Sequence, residues 1–264
     1  MTLAIIDTHA HLYMPQFDRD RAEVINRARE AGIAAIVNVG IDLKSSEYAV
    51  KLAEVNPGVF AAVGIHPHEV ASVSKVDIKR LIDMAHQKKV VAIGEIGLDY
   101  YRSHSPRETQ HRVLEWQLEV AGESRLPVVI HSRQAERDMV AVLKKWTASA
   151  QPRDDGIRGV IHCFSGSIET ARQYLDMGFH ISLGAYIGYP TSKSSHATIR
   201  ALPLDRLLIE TDSPFLPPQS RRGQRNEPSY LPVTVTALAE IKGVSPEVIA
   251  RETTANARRV FHLP

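Results

Sequence analysis

The 264-residue sequence has one cysteine, Cys163, so neither an intrachain disulfide nor a thiolate zinc cluster is available to it. A reducing compartment, the cytoplasm, is the corresponding expectation. It also lacks a long apolar run. The opening Met1-Thr2-Leu3-Ala4-Ile5-Ile6 has no basic flank and ends at Asp7, too short for a signal-peptide core or a membrane span. Charge of one sign is missing too: 32 Lys and Arg stand against 30 Asp and Glu, and a net +2 excludes the whole-surface basic field of a duplex-coating protein. Any polyanion has to be met locally. No Gly/Ser-rich linker divides the chain, and no G-x-G-x-x-G follows its first apolar run, which argues against a dinucleotide fold and for one domain over residues 1–264.

What is present is an alternation. Short β-branched runs at Leu3 to Asp7, Ala35 to Val39, Phe60 to Ile65, Val90 to Glu95, Val128 to His131, Gly159 to His162, Phe179 to Leu183 and Leu207 to Asp212 read as strands. Helical periodicity fills the gaps at Arg19 to Ala31, Glu47 to Val55, Ile78 to Lys88, Glu108 to Ser124, Glu136 to Trp146 and Glu169 to Met177. Continuously apolar strands joined by long crossovers predict a parallel sheet, and eight such units predict a closed (β/α)8 TIM barrel. The proline-rich stretch Pro214 to Pro232, with Arg221, Arg222 and Arg225, reads as a loop, and the tail from Val233 as a helix broken near Gly243 and Pro246.

Twelve histidines are the second feature, several of them closing an apolar run. In a barrel strand, Asp7, His9 and His11 share a side, and His66, Glu95, His131, His162 and the Glu210-Thr211-Asp212 triplet fall at the carboxyl ends of later strands, where barrels carry their chemistry. One such histidine is ordinarily a hydrogen-bonded core residue. His9, His11, Glu95, His131, His162 and Asp212 together are hard to assign to packing, since each buried polar group left without a partner costs about 1–3 kcal/mol. Four imidazoles and two carboxylates can hold two divalent cations, and imidazole donors suit Zn, Mn, Ni or Co better than Mg. Asp7 and Glu210 are expected to orient imidazole N–H groups, and Cys163 to face away from His162 as a small buried residue. Trp116 and Trp146 are expected to pack on helices. Asp99, Tyr100 and Tyr101 are placed in the loop after Glu95, as substrate contacts or as loop caps.

The segments Asp7-Thr8-His9-Ala10-His11-Leu12, Gly64-Ile65-His66-Pro67, Gly94-Glu95-Ile96-Gly97-Leu98-Asp99-Tyr100, Val129-Ile130-His131-Ser132-Arg133, His162-Cys163-Phe164-Ser165-Gly166 and Glu210-Thr211-Asp212-Ser213-Pro214 resemble the TatD family of metal-dependent deoxyribonucleases, amidohydrolase-like barrels, over nearly the whole chain. The resemblance implies one metal held by His9, His11, Glu95 and Asp212 and a second by Glu95, His131 and His162, with Glu95 bridging. It also implies Mg or Mn use and 3′-to-5′ exonuclease action on DNA. Arg222-Gly223-Gln224-Arg225-Asn226-Glu227-Pro228 looks like the family's basic loop, with Gln224 where Lys is common.

On two-metal logic Asp212 is expected to accept the proton of an attacking water while Glu95 fixes the ion pair. His66 and Arg133, outside the ligand set, are expected to bind the substrate phosphate. The near-neutral charge favours single-stranded or frayed ends over long duplex. Neither a membrane nor an obligate protein partner is implied. Two other readings stand beside this one: hydrolysis of a small ester, lactone or amide on the same metal pair, and a metal-stabilised scaffold without catalysis.

Overall fold

The computed structural model describes residues 4–150 and 153–264. Eight strands, β1 (Ile5–Ala10), β2 (Ile33–Val39), β3 (Val59–Val63), β4 (Val90–Asp99), β5 (Val128–Arg133), β6 (Gly159–Ile161), β7 (Phe179–Leu183) and β8 (Leu207–Ile209), form one parallel sheet in sequence order. Each run expected as a strand overlaps one, with ends that differ by up to four residues. Leu3, expected in the first, lies outside the described residues. Every residue of β1 is buried because the sheet has its own barrel interior on one side and helices on the other.

No regular ladder joins β1 to β8. The ring closes through a bridge between Ala10 and Ser213, with the His11 N–H donating to the Ser213 carbonyl at 2.7 Å and the Asp212 N–H to that of His9 at 2.9 Å. Closure therefore seats Asp212 beside His9 and His11.

The helices α1 (Arg21–Glu30), α2 (Leu43–Val55), α3 (Lys75–Ala85), α4 (Arg107–Ser124), α5 (Glu136–Ser149) and α6 (Ile168–Asp176) occupy the expected gaps, with α7 (His196–Ala201), α8 (Leu231–Lys242) and α9 (Pro246–Phe261) completing the coat. Asp42 and Ser45 form a capping box at the start of α2, which begins four residues earlier than the periodicity indicated. Gly243, at φ +67°, ends α8, and Pro246 opens α9 as its first residue, which accounts for the break in the tail. Pro232 lies inside the first turn of α8, where its missing N–H costs no intrahelical bond. The loop reading is therefore right only up to the residues before Leu231.

The segment between β7 and β8 was not foreseen as ordered. Two short 3-10 turns (Ala185–Gly188, Pro190–Ser195) lead into α7, too short for periodicity to register. Trp116 and Trp146 sit on α4 and α5 and pack partly buried against the core. Among the described residues, no helix is long and apolar enough to cross a membrane.

Candidate metal centre

Two glutamines on α4 set the geometry of the strand ends. The buried Gln117 side chain accepts from the Ile65 N–H at 2.7 Å and donates to its carbonyl at 3.0 Å, anchoring the chain just before His66. Gln110 does the same for Asp99, at 2.9 and 3.1 Å. Glycine is required at 97, where φ is +155° and a Cβ would run into the His131 carbonyl. The backbones of β4 and β5 thereby come close enough to bring Glu95 and His131 into contact.

The side chains meet around the Glu95 carboxylate, which is 4% exposed. Its Oε2 lies 3.3 Å from His9 Nε2 and 3.8 Å from His11 Nε2. Its Oε1 lies 2.9 Å from His131 Nδ1, 3.2 Å from His162 Nε2 and 3.5 Å from His66 Nε2. Asp212 Oδ1 is 3.4 Å from His11 Nε2 and 3.8 Å from His9 Nε2. All six residues expected to bind metal, and His66 with them, are thus in one cluster. Within it three groups bring their ligand atoms together: His9, His11 and Asp212; His9, Glu95 and His162; and His66, Glu95 and His131.

The outer contacts decide which ring nitrogen carries a proton. His11 Nδ1 can only donate to the Val39 carbonyl 2.7 Å away. His162 Nδ1 donates to Glu210 Oε1 at 3.1 Å, and His131 Nε2 to Asp99 Oδ2 at 3.1 Å. A neutral ring in each case then turns a bare lone pair inward: His11 toward His9 Nε2 at 3.1 Å, His162 and His131 toward a Glu95 oxygen. At His162 and His131 acceptor faces acceptor, an arrangement that requires a positive charge between them, either a proton on the ring or a bound cation. A divalent cation fits this donor set, since outer carboxylates and carbonyls that fix imidazole tautomers are the usual support of metal-binding histidines.

His66 differs. Its Nδ1 accepts from the His68 N–H at 3.1 Å, so a neutral ring carries its proton on Nε2 and offers a donor to the centre in place of a lone pair. Burial pushes its pKa down to about 4, which keeps the ring neutral near pH 7. Burial acts to raise the Glu95 pKa, but the charge of His162 and the hydrogen bonds from His131 and His162 hold it well below the ordinary carboxylate value. The His162 ring goes up despite burial, because Glu210 and Glu95 flank it.

Three sequence readings are corrected. Asp7 orients no imidazole: its carboxylate accepts the N–H groups of His9 (3.2 Å) and Thr211 (3.0 Å) and the Thr211 hydroxyl (2.6 Å), tying β1 to the chain after β8. Cys163 does not turn away from the centre, because β6 has ended at Ile161 and the backbone reaches φ +48°, so strand alternation no longer applies. It is partly exposed, next to a cavity at the centre, and burial with the nearby Glu210 carboxylate pushes its thiol well up, in keeping with a neutral, non-nucleophilic group. Asp99 is the last residue of β4 and not a loop residue. It does cap the loop, accepting from the Tyr101 and Arg102 N–H groups at 2.9 and 2.8 Å, and its other oxygen also orients His131 and takes the His68 Nε2–H at 2.9 Å.

Sequence reasoning missed that orienting role of Asp99, and His68 altogether, although Gly94 to Asp99 already carries the spacing of a strand that runs past Glu95. Glu210 behaves as expected, holding His162. Arg133 is exposed at the rim with its guanidinium 4.2 Å over the Tyr101 ring. Of the basic loop, Arg225 is neutralised by Asp20 at 2.6 Å, while Arg221 and Arg222 lie over the rings of Tyr230 and Tyr189.

Known proteins match both sequence and shape. The family model described as TatD related DNase matches residues 6–262. An uncharacterized metal-dependent hydrolase of Bacillus subtilis, YabD, is 40% identical over 98% of this chain and 99% of its own length. A protein of Erwinia billingiae named 3′-5′ ssDNA/RNA exonuclease TatD is 36% identical over 98% of this chain and 100% of its own. The crystal structure of YjjV, a TatD homologue from Escherichia coli K12, superposes with a TM-score of 0.92 at 32% identity, covering 100% of both chains. With the barrel, its rim of histidines and these full-length similarities in agreement, the chain belongs to the TatD related DNase family of metal-dependent hydrolases.

Proposed function

We propose that the chain is a two-metal phosphodiesterase removing nucleotides from single-stranded or frayed DNA ends, in the 3′-to-5′ sense carried by the name of its Erwinia billingiae relative. The observation that carries the reading is the division of Glu95: one oxygen faces His9 and His11, the other faces His131 and His162. His9, His11, Glu95 and Asp212 would hold one divalent cation, and Glu95, His131 and His162 the second, drawn from Mn, Mg, Zn, Ni or Co. Such a pair supplies Lewis acidity at a phosphoryl oxygen and a lowered pKa for bound water.

The protein's own residues do the rest. Asp212 is the carboxylate that meets solvent, 14% exposed against 4% for Glu95, and accepts the proton of the attacking water. Burial works against its ionisation, but His11 and His162 keep its pKa below the ordinary value, so the base is available near pH 7. Glu95 stays ionised and holds the two halves of the centre in register. His66 offers an Nε2–H, and Arg133 a planar guanidinium oriented on Tyr101, to the phosphate oxygens.

Elemental analysis of the purified protein, followed by assay on an end-labelled oligodeoxynucleotide beside a panel of esters and cyclic amides, tests the reading. Shortening of the oligonucleotide is expected, and Asp212→Asn should lower the rate by about 10²- to 10⁴-fold with metal retained. Turnover of an ester or amide with none of the oligonucleotide refutes the nuclease reading, and a metal-loaded Asp212→Asn protein of wild-type rate removes Asp212 from its role.

A further inference from the structure

Two cavities open side by side over the centre. The larger, about 450 Å³, has Met14, Ile41 and Phe215 on its apolar wall, and the smaller, about 300 Å³, extends past Cys163 to Tyr186. Both are of a size that holds a small ligand. The residues they share are His131, His162 and Asp212, then Arg133, and then Leu216. A strand laid from one cavity into the other therefore carries a phosphodiester across the centre and past Arg133, with Leu216 at the crossing.

Phe215 and Leu216 are held at that place by the backbone. Leu216 adopts φ +47°, a conformation side-chain-bearing residues seldom take, and Phe215 keeps 44% of its surface exposed with its ring 6.0 Å from that of His11. A fully buried asparagine fixes both: Asn226 Nδ2 donates to the carbonyls of Phe215 (2.7 Å), Leu216 (3.3 Å) and Thr211 (2.8 Å), and its backbone N–H to that of Pro214 (3.1 Å). Asn226 is itself followed by Glu227, which Arg27 grips with two nitrogens at 2.7 and 2.9 Å. An aromatic ring tethered outward beside a cationic rim offers its face to a nucleobase, and such stacking tightens binding by about 5- to 150-fold per base whatever the base.

We infer that Phe215 and Leu216 form an apolar wedge that parts the terminal base from its neighbour, Phe215 stacking on the base in the larger cavity and Leu216 standing between the two nucleotides. The inference rests on the nucleic-acid reading above and adds to it the selection of an unstacked end that still bears its base. A paired terminus has to open before it can straddle Leu216, so the preference for single strands is a property of this wedge and not of net charge alone.

The test is the ratio of kcat/KM for a single-stranded oligodeoxynucleotide with an intact terminal nucleotide to that for the same strand with an abasic terminal residue. The wild-type ratio is expected to be at least about fivefold. Phe215→Ala should bring it toward one, mainly through KM, and Phe215→Trp should restore it. Leu216→Gly, which the backbone conformation accommodates, should also lower it without loss of thermal stability. A wild-type ratio near one, or a Phe215→Ala loss equal on both strands, overturns the wedge while leaving the nuclease reading intact. A wild-type protein that cleaves neither strand overturns both.

Discussion

Replacing Asp99 by Asn exchanges one oxygen for an amide nitrogen and should reverse the protonation of a neighbouring ring. Asp99 Oδ1 accepts two backbone N–H groups, those of Tyr101 and Arg102, and Oδ2 accepts from His131 Nε2 and His68 Nε2. In the variant the carbonyl oxygen has to stay with the two backbone donors, since an amide nitrogen there would face N–H groups it cannot accept. The amide N–H then points at His131 Nε2, which becomes an acceptor, and the ring proton moves to Nδ1. That nitrogen lies 2.9 Å from Glu95 Oε1, so the lone pair proposed to bind metal is replaced by a hydrogen bond donated to the carboxylate. Disturbing the support of a metal-binding imidazole costs about 10- to 100-fold in affinity, or about 1.4 to 2.7 kcal/mol. Removing the lone pair places the expectation at the upper end.

The loop cap survives in this variant, so thermal stability should change little. Titration calorimetry of Mn2+ into metal-free protein should show one of two affinities reduced about 100-fold, and nitrogen-15 spectra should report His131 protonated on Nδ1. An Asp99→Asn protein that binds both ions as the wild type does, with the His131 proton still on Nε2, would refute the reasoning.

Two other outcomes follow from contacts at the rim and on the outer surface. Arg133→Ala removes an exposed guanidinium that lies over the Tyr101 ring and, among the described residues, bonds to none of the proposed metal ligands, so KM for an oligonucleotide should rise about 10-fold or more while Mn2+ affinity stays within about twofold. Equal losses in both would make it structural. Asp20 is held at about 2, chiefly by its hydrogen bonds from Arg225 and then Arg27, against an opposing contribution from burial. Its folded-state pKa lies below the unfolded 3.8, so its stabilisation is complete above about pH 5 and disappears as the pH falls through about 2. The shift corresponds to roughly 2 kcal/mol if fully realised, and screening at this partly exposed pair reduces it to about 1 kcal/mol. Denaturant melts of Asp20→Asn should show that deficit at pH 7 and little of it at pH 2; a deficit independent of pH would assign the effect to packing.

Local chemistry was enough to place the strands and the long helices and to single out the side chains that gather at one end of the barrel. Continuous apolar strands and the Gly243 and Pro246 break are properties of short segments, and so is the coincidence of a histidine or carboxylate at the end of six runs. Those features survive in any fold that buries both faces of the sheet. The fate of individual polar groups was different. Asp7, Asp99 and Cys163 share the strand ends with the expected ligands, and nothing in their neighbours in the chain distinguishes a tie between strands, an orienting carboxylate and a cavity-lining thiol.

Those roles depend on residues about 30 to about 200 positions away: Thr211 for Asp7, His131 for Asp99, Glu210 for Cys163. The same is true of His66, whose donor nitrogen is set by the His68 N–H and whose place beside Glu95 is set by Gln117 on α4. Strand alternation predicts direction only while the strand lasts, and at β6 and β8 the ladder ends before the functional residues begin. The sequence by itself determined which chemical groups the barrel mouth contains; only the tertiary structure decided which nitrogen of His11, His131 and His162 turns a lone pair inward, because a tautomer is chosen by the partner on the far side of the ring.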